Sequence, residues 1–494
     1  RARDLPSTLA LAAFAILAVS PAALFDISFQ LSFAAVAAIL LFMPGVTERL
    51  TAWKNGAEGQ AARLLRKLAA NVALFFAVSA AATLGTLPFI VYYFNRVSNI
   101  TLVANLILVP ILGFVVLPLS MLLILLAPVS ATLSSALIDI TARLTRLCLD
   151  LNDWLASLPG SSSILTTPTF PEIGAYFTVL IASALILGLP GRTVAGGSAL
   201  RTRRRSACAL GLAVLFLAGD ALWVHLGLQN RDRLSVTFLD VGHASCTLVE
   251  FPGGRRMLID GGGFPNDRFD VGRYVVAPFL WNRRIGKIDT IVATHPHPDH
   301  VNGLPYILDN FGVEDVWTSG DEALVDWGVP LTEKMKAKGI TPRLITSKSP
   351  PVEYDGVQIR ILNPGSRSPS RADLDDREIN ERSVVLHIRW KDASILLPSD
   401  IGAPTESLLV RQRAPLASGV LLAPHHGSAY SASTPFLQAV RPSTIVISTG
   451  RPVREEVLER FRQTGAAVYR TDVHGAVRIT TDGSRYVVSA FKNP

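Results

Sequence analysis

The chain has 494 residues, 49% of them hydrophobic and only 17% charged, with a net charge of +8. That balance excludes a disordered or solvating chain and leaves room for two or three domains. Three scattered cysteines (Cys148, Cys208, Cys246) exclude a disulfide framework. Cys148 and Cys208 fall in or beside apolar segments, where they face lipid or core. The chain starts at Arg1 rather than Met, close to a hydrophobic run, and is read as a fragment or an open frame whose upstream part is missing.

Residues 1–230 are largely apolar and residues 231–494 read as a soluble α/β sequence. The first part carries 15 Lys/Arg against 9 Asp/Glu, the second 32 against 30, leaving +6 and +2. Stretches long enough to cross a bilayer run over 8–24, 28–46, 69–94, 100–127, 172–190 and 206–229. The 100–127 stretch contains Pro110 and Pro118, with Pro128 just beyond. It is expected to be re-entrant or broken, since breaks at membrane depth occur where backbone lines a cavity. Residues 130–158 carry Asp139, Arg143, Arg146, Asp150 and Asp153 at helical spacing and read as amphipathic. Asp26 is expected to cap the helix after it, and Asn105 to bond between helices or line a pathway.

The basic excess sits in two clusters: Arg49, Lys54, Arg63, Arg66 and Lys67, then Arg192, Arg201, Arg203, Arg204 and Arg205. The positive-inside rule explains them better than nucleic-acid binding does. If both clusters are cytoplasmic, an even number of crossings separates them. Either 100–127 returns to its starting side or 130–158 also crosses. The domains are then 1–190, spanning the membrane; 191–230, a basic linker (solvated through 191–205) and a last helix running outward; and 231–494, outside the cytoplasm.

In the soluble part, short apolar strands are expected at Leu234–Asp240, Cys246–Glu250, Met257–Asp260, Ile288–Ala293, Val384–Trp390, Ser394–Pro398, Val420–Ala423 and Thr444–Ser448. Helical patterns fall near 268–280, 303–310, 322–338, 404–412 and 453–464. Two packed sheets with helices outside, and functional loops gathered at one edge, follow from that order. The chemistry is concentrated in Thr294-His295-Pro296-His297-Pro298-Asp299-His300, directly after an apolar run. His295 and His297 are two apart on extended backbone and point the same way. Asp299 and His300 diverge toward a second ion. Such donors hold a first-row metal with an open position for water. Asp400, after Ile395-Leu396-Leu397, is the expected bridging carboxylate. His426, or His425 beside it, completes the second site. Asp260 is expected to orient a ligand histidine. Asp240 is as well explained by a turn, and His243, His387 and His474 by surface or packing.

The His-x-His-x-Asp-His run on such an α/β chain resembles the metallo-β-lactamase superfamily, which implies a four-layer αββα sandwich behind an all-α polytopic membrane domain. Phe25-Asp26-Ile27-Ser28-Phe29-Gln30-Leu31-Ser32-Phe33 and Asn105-Leu106-Ile107-Leu108-Val109-Pro110 resemble the membrane domain of the ComEC competence proteins. So do Phe238-Leu239-Asp240-Val241-Gly242, Leu258-Ile259-Asp260, Leu396-Leu397-Pro398-Ser399-Asp400, Pro424-His425-His426-Gly427-Ser428 and Arg470-Thr471-Asp472-Val473-His474-Gly475-Ala476-Val477. The resemblance implies a multi-pass protein of the bacterial inner membrane that forms the channel for transforming DNA, with a metal domain degrading the strand that does not enter. Its partners would be single- and double-stranded DNA, membrane lipids, other uptake components and further copies of itself.

The chain departs from the family at His243-Ala244-Ser245, where Gln-Gly-Asp is usual, and at Pro398-Ser399-Asp400, where Thr-Gly-Asp is usual. It departs again at Gly450-Arg451-Pro452, where a histidine is gone, and no histidine lies between His300 and His387. The expected centre uses His295, His297, Asp299, His300, Asp400, His426 and His425 to hold one or two divalent ions, Zn²⁺ or Mn²⁺. Asp299, Asp400 and Asp260 carry the hydrolysis of a phosphodiester. The competing expectations are a transporter with an inactive metal domain and a membrane-tethered hydrolase for another substrate.

Overall fold

The computed structural model describes residues 4–56, 59–189, 198–229, 232–265, 269–365 and 375–492. It divides into two units, Arg1–Ala221 and Leu222–Pro494, each taken by itself below.

Five described helices are long and apolar enough to cross a membrane: Ile27–Asn55, Gln60–Phe94, Thr101–Leu126, Phe170–Leu187 and Arg201–Trp223. The first expected crossing is a shorter helix, Leu5–Val19, followed by a 3₁₀ turn at Pro21–Phe25. These helices leave many large apolar side chains exposed, Phe14, Leu68, Phe114 and Leu125 among them, as a lipid-facing surface requires. The Asp26 carboxylate accepts from the Ser28 and Phe29 amides at 2.8 and 3.2 Å and starts the second helix as a cap. The Asn105 amide donates to Ser79 Oγ at 3.0 Å, the interhelical bond its position suggested.

The expected break in 100–127 is absent. Helical backbone runs from Thr101 to Leu126 through a π turn at Leu112–Val116. Pro110 and Pro118 each remove an amide donor, and the wider turn between them shifts the register so that the helix continues. The chain returns instead through Ala131–Ser157, which packs back along both halves of that helix.

Strands β1 (Arg96–Ser98) and β2 (Ser162–Ile164) pair antiparallel and tie the two ends of this hairpin together. Asn95 Nδ2 donates to Leu165 O and Thr167 Oγ1, and Asn99 Nδ2 to Gly160 O and Ser163 Oγ, all within 3.1 Å. At the opposite end Gly45 N donates to Leu189 O and Arg49 to Leu187 O. Only glycine permits that approach, because a Cβ at 45 would lie 2.6 Å from Leu189 Cα. The residues before the second basic cluster therefore sit beside the first.

The expected linker is corrected in part. Arg201, Arg203, Arg204 and Arg205 lie on the helix Ser198–Gln229. Arg192 and its glycine neighbours lie outside the described residues.

The second unit is built from β3 (Leu234–Phe238), β4 (Thr247–Glu250), β5 (Arg256–Ile259), β6 (Lys287–Ala293), β7 (Gly312–Thr318), β8 (Arg343–Leu344), β9 (Val352–Tyr354) and β10 (Val357–Asn363). It continues with β11 (Val385–Trp390), β12 (Ala393–Leu397), β13 (Val420–Leu422), β14 (Thr444–Ile447), β15 (Ala467–Arg470), β16 (Val477–Thr481) and β17 (Tyr486–Ala490). One sheet has the order β17-β16-β3-β4-β5-β6-β7-β8, the other β15-β14-β13-β12-β11-β10-β9. Alternation along the strands explains the layering. Val236, Phe238, Met257, Trp317, Ile359, Leu386 and Leu397 meet between the sheets, while Leu421, Ile445 and Ile447 face outward against Leu409, Phe436, Leu437 and Phe461. Both faces are buried, so helices must cover the outside. Among them are Ala403–Arg411, Thr434–Val440 and Glu455–Arg462 on one side, and Ala277–Asn282, Leu304–Asn310 and Val329–Ala337 on the other.

The strands β5 to β8 run parallel, as do β12 to β15. Parallel strands end together, so their following loops share one edge. That is where the histidines fall.

Candidate metal centre

The loop after β6 carries His295, His297, Asp299 and His300; the loop after β5 carries Asp260; those after β12 and β13 carry Asp400 and His426. Asp299, His300, Asp400 and His426 each offer one ligand atom, all within 4.8 Å of one another.

The tautomers follow from the hydrogen bonds. His300 Nδ1 lies 2.7 Å from Asp260 Oδ2 and donates to it. Asp260 also accepts from the Thr294 amide and hydroxyl at 2.9 Å each. His300 Nε2 is left buried with no hydrogen-bond partner, 3.3 Å from Asp400 Oδ1. His426 Nδ1 donates to Ser448 O at 2.9 Å, which leaves its Nε2 in the same condition, 3.5 Å from both Asp299 Oδ2 and Asp400 Oδ2. Two buried imidazole nitrogens facing two carboxylates without a hydrogen bond form a donor set that a divalent cation, displacing any proton on the rings, would satisfy.

His295 and His297 form the adjacent corner. The Thr294 hydroxyl proton is committed to Asp260, so His295 Nδ1, 3.1 Å away, donates to Thr294 Oγ1. His295 Nε2 then faces His297 Nδ1 at 3.1 Å. That spacing is close to what two nitrogens about 2.0–2.1 Å from one ion would show. His297 Nε2 is also buried without a hydrogen-bond partner. His425 is further out: its ring is exposed and its Nε2 lies 3.8 Å from Asp400 Oδ2.

Burial dominates the electrostatics, and the carboxylates then sort the imidazoles. It pushes His295 well below the usual histidine range and His297 below it, keeping both neutral and able to ligate. Burial opposes charge on His300 and His426 too, but Asp400 with Asp260 raises the first and Asp400 with Asp299 the second. Burial would raise Asp400, yet the His300 and His426 rings hold it well below the carboxylate range.

The backbone is strained at this edge. Asp260, Ser399, His425 and His426 all have positive φ (61°, 53°, 49° and 55°). Each such residue costs on the order of 1–3 kcal/mol and persists where surroundings enforce it. His425 N donates to Ser399 O at 2.9 Å and Gly261 N to His300 O at 2.7 Å, so the ligand loops hold one another. Gly263 permits a further close approach, since a Cβ there would meet Pro298 O at 2.2 Å.

The remaining candidates separate cleanly. Asp240 is outside the cluster, 4.0 Å from Lys492 Nζ. His387 Nε2 faces Ala417 O at 3.3 Å and His474 packs on Tyr469, both structural. His243 is a correction: its ring centroid lies 5.0 Å from that of His426. Thr449 Oγ1 donates to Arg451 O, so His243 Nδ1, 3.2 Å away, donates to Thr449 and leaves its Nε2 as the lone pair. A Cβ at Gly450 would lie 2.6 Å from His243 N, so the shortened 450–452 loop props this histidine directly. Burial brings it down to about 4. In the sequence it stood out only as part of the His243-Ala244-Ser245 departure from the family pattern.

Comparison with known proteins gives both halves a family. The competence protein family matches residues 1–190 and the metallo-beta-lactamase superfamily matches 239–451. The ComE operon protein 3 of Bacillus subtilis is 23% identical over 483 residues, 94% of this chain and 56% of that protein. The chain belongs to the ComEC family of competence proteins. A second relative, the competence protein ComA of Neisseria gonorrhoeae, is 26% identical over 66% of this chain and 40% of its own. This ComEC-family chain thus spans about half the length of the curated relatives it matches. Among solved structures, an archaeal metallo-beta-lactamase superfamily protein from Sulfolobus tokodaii is 14% identical over 46% of this chain and 84% of its own, with a TM-score of 0.24. The ComEC-family chain is a multi-pass membrane protein whose second unit is a metallo-beta-lactamase-like domain.

Proposed function

We propose that the helical unit is a bacterial inner-membrane DNA-uptake channel and that the second unit is a metal-dependent phosphodiester hydrolase acting on the strand left outside. The observation that carries the reading is the pair of buried, unpartnered Nε2 atoms of His300 and His426 facing Asp299 and Asp400, in a chain whose other half matches a competence protein. His295 and His297 would hold one ion of the Zn²⁺ or Mn²⁺ type; Asp299, His300 and His426 would hold a second, with His425 at the rim and Asp400 as the carboxylate offered to both. Bound there, such ions make hydroxide available near neutral pH and neutralise phosphate charge. The protein's own part is orientation. Asp260 fixes His300 through Nδ1, Ser448 O fixes His426, and Thr294 fixes His295.

The topology of this reading comes from the hairpin. Helices Gln60–Phe94 and Phe170–Leu187 both reach the β1–β2 end, and Thr101–Leu126 with Ala131–Ser157 leaves that end and comes back. Four crossings then separate the two basic clusters, and both face the cytoplasm. The last helix runs outward and the metal domain is extracytoplasmic. DNA, membrane lipids, the rest of the uptake machinery and further copies of the chain are the proposed partners.

One observation favours a second reading, a channel whose metal domain only guides DNA: the loops at His243-Ala244-Ser245, Pro398-Ser399-Asp400 and Gly450-Arg451-Pro452 depart from the family pattern. The deciding experiment gives the full chain in detergent a labelled single strand with Mn²⁺ or Zn²⁺. Wild type degrades it and Asp299→Ala does not. A metal-loaded wild type that leaves the strand intact establishes the second reading.

A further inference from the structure

Among the described residues of 232–492 five aromatic side chains are exposed: Phe269, Tyr274, Trp327, Tyr430 and Phe491. Two of them, Trp327 and Phe269, line one cavity, and Tyr274 packs behind Phe269. Trp327 meets His297 edge-on at 5.3 Å between ring centroids, and Phe269 stacks on Tyr274 at 5.3 Å and 29°. The cavity of about 250 Å³ between Trp327 and Phe269 is walled by Phe264 and Leu331, with Asp270 and Asn302 as its polar lining. Asn302 follows the metal loop two residues after His300. The Arg273 guanidinium covers the far ring of the stack, 5.2 Å above Tyr274. Exposed rings grouped beside a reactive edge, rather than scattered singly, mark a binding surface.

We propose that this cavity is a nucleobase site, in which one base of a single strand enters between Trp327 and Phe269 while its phosphodiester lies at the metal edge. The proposal rests on the reading that this edge acts on DNA. Charge cannot supply the grip, because residues 231–494 carry only +2. Tight non-specific binding through phosphates needs many unopposed Lys and Arg. Stacking on aromatic side chains supplies about 1–3 kcal/mol per base and accepts every base, since each has a π face. A paired base has both faces covered by its neighbours in the stack, so the cavity selects single strands. Asp270 and Asn302 give the base edge hydrogen-bonding groups on an otherwise apolar wall.

The test uses the full chain in detergent and two labelled probes of equal length, an oligothymidylate and an abasic strand. Binding is measured in chelator, where nothing is cleaved, and cleavage separately with Mn²⁺ or Zn²⁺. Wild type is expected to bind the base-bearing strand roughly tenfold tighter than the abasic one. Trp327→Ala removes that preference at unchanged metal content, and Trp327→Phe restores it. Affinity for the oligothymidylate falls by no more than about threefold between about 50 and 200 mM salt. Equal binding of both strands by wild type, or undiminished preference in Trp327→Ala, overturns the proposal. Equal binding with cleavage of both strands removes the cavity and leaves the hydrolase standing. Preference in binding without cleavage keeps the cavity and removes the hydrolase.

Discussion

The two units place polar groups by opposite rules. In the helical unit large apolar side chains face outward, and Asn105 and Tyr93 find partners on neighbouring helices, Asn105 with Ser79 and the Tyr93 hydroxyl with Gln30 Oε1 at 3.0 Å. In the second unit the apolar side chains are buried to near zero exposure, and the buried Nε2 atoms of His297, His300 and His426 lie without hydrogen-bond partners at one edge of the sheets. An orphaned nitrogen in hydrocarbon would have no remedy. At the end of a parallel sheet it has one, a cation. The comparison teaches that an unmet hydrogen bond points to a metal only where other ligand groups converge on it.

The largest test of the comparison is topological and all-or-none. An alkaline phosphatase reporter fused after Asn230 should be active, and one fused within 191–205 silent. The reverse pattern would place the metal domain in the cytoplasm and undo the uptake reading. A smaller effect is expected from Asp260→Asn, which touches no substrate but loosens the His300 Nδ1–H bond. Metal affinity or strand cleavage should fall about 10–100-fold. An unchanged metal titration would show that His300 needs no orienting carboxylate.

Glu322 sharpens the contrast by pH. It is buried, its Oε1 has no hydrogen-bond partner, and burial raises it from 4.5 to about 7. The folded state therefore holds a proton that the unfolded state releases, and stability falls as pH rises from about 4.5 to about 7. Glu322→Gln should stabilise the chain at pH 8 by up to about 3 kcal/mol and lose most of that gain by pH 5. Thermal scans at the two pH values measure it; an equal shift at both would assign the gain to packing. The smallest effect belongs to the helical unit. Asn105→Ala should cost about 0.6 kcal/mol, the usual worth of an interhelical bond in lipid. A loss of several kcal/mol in detergent unfolding would mean that Asn105 does more than pair with Ser79.

Apolar length alone located the membrane helices, because a crossing needs little else. The prolines misled: Pro110 and Pro118 suggest a break only if no π turn absorbs them, and such a turn leaves no trace in composition. The eight strands expected from apolar runs all formed. Those that escaped, such as β7 (Gly-Val-Glu-Asp-Val-Trp-Thr) and β16 (Val-Arg-Ile-Thr-Thr), mix charged or polar residues into half-buried runs. The seven-residue helix Thr434–Val440 is too short to show a period. Asp299, His300, Asp400 and His426 were legible because strand ends converge at one edge. His243 and Trp327 were not, since their nearness to His426 and His297 comes from loops packed across the edge.

Metal content tests the central claim most directly. Elemental analysis of the purified full chain, in wild type, His426→Ala and Asp400→Ala, would be compared at equal protein. Bound Zn²⁺ or Mn²⁺ is predicted in wild type, less in His426→Ala because one corner would be lost, and least in Asp400→Ala because that carboxylate is proposed to serve both corners. A wild type without stoichiometric metal, or an Asp400→Ala variant that keeps all of it, would contradict the account.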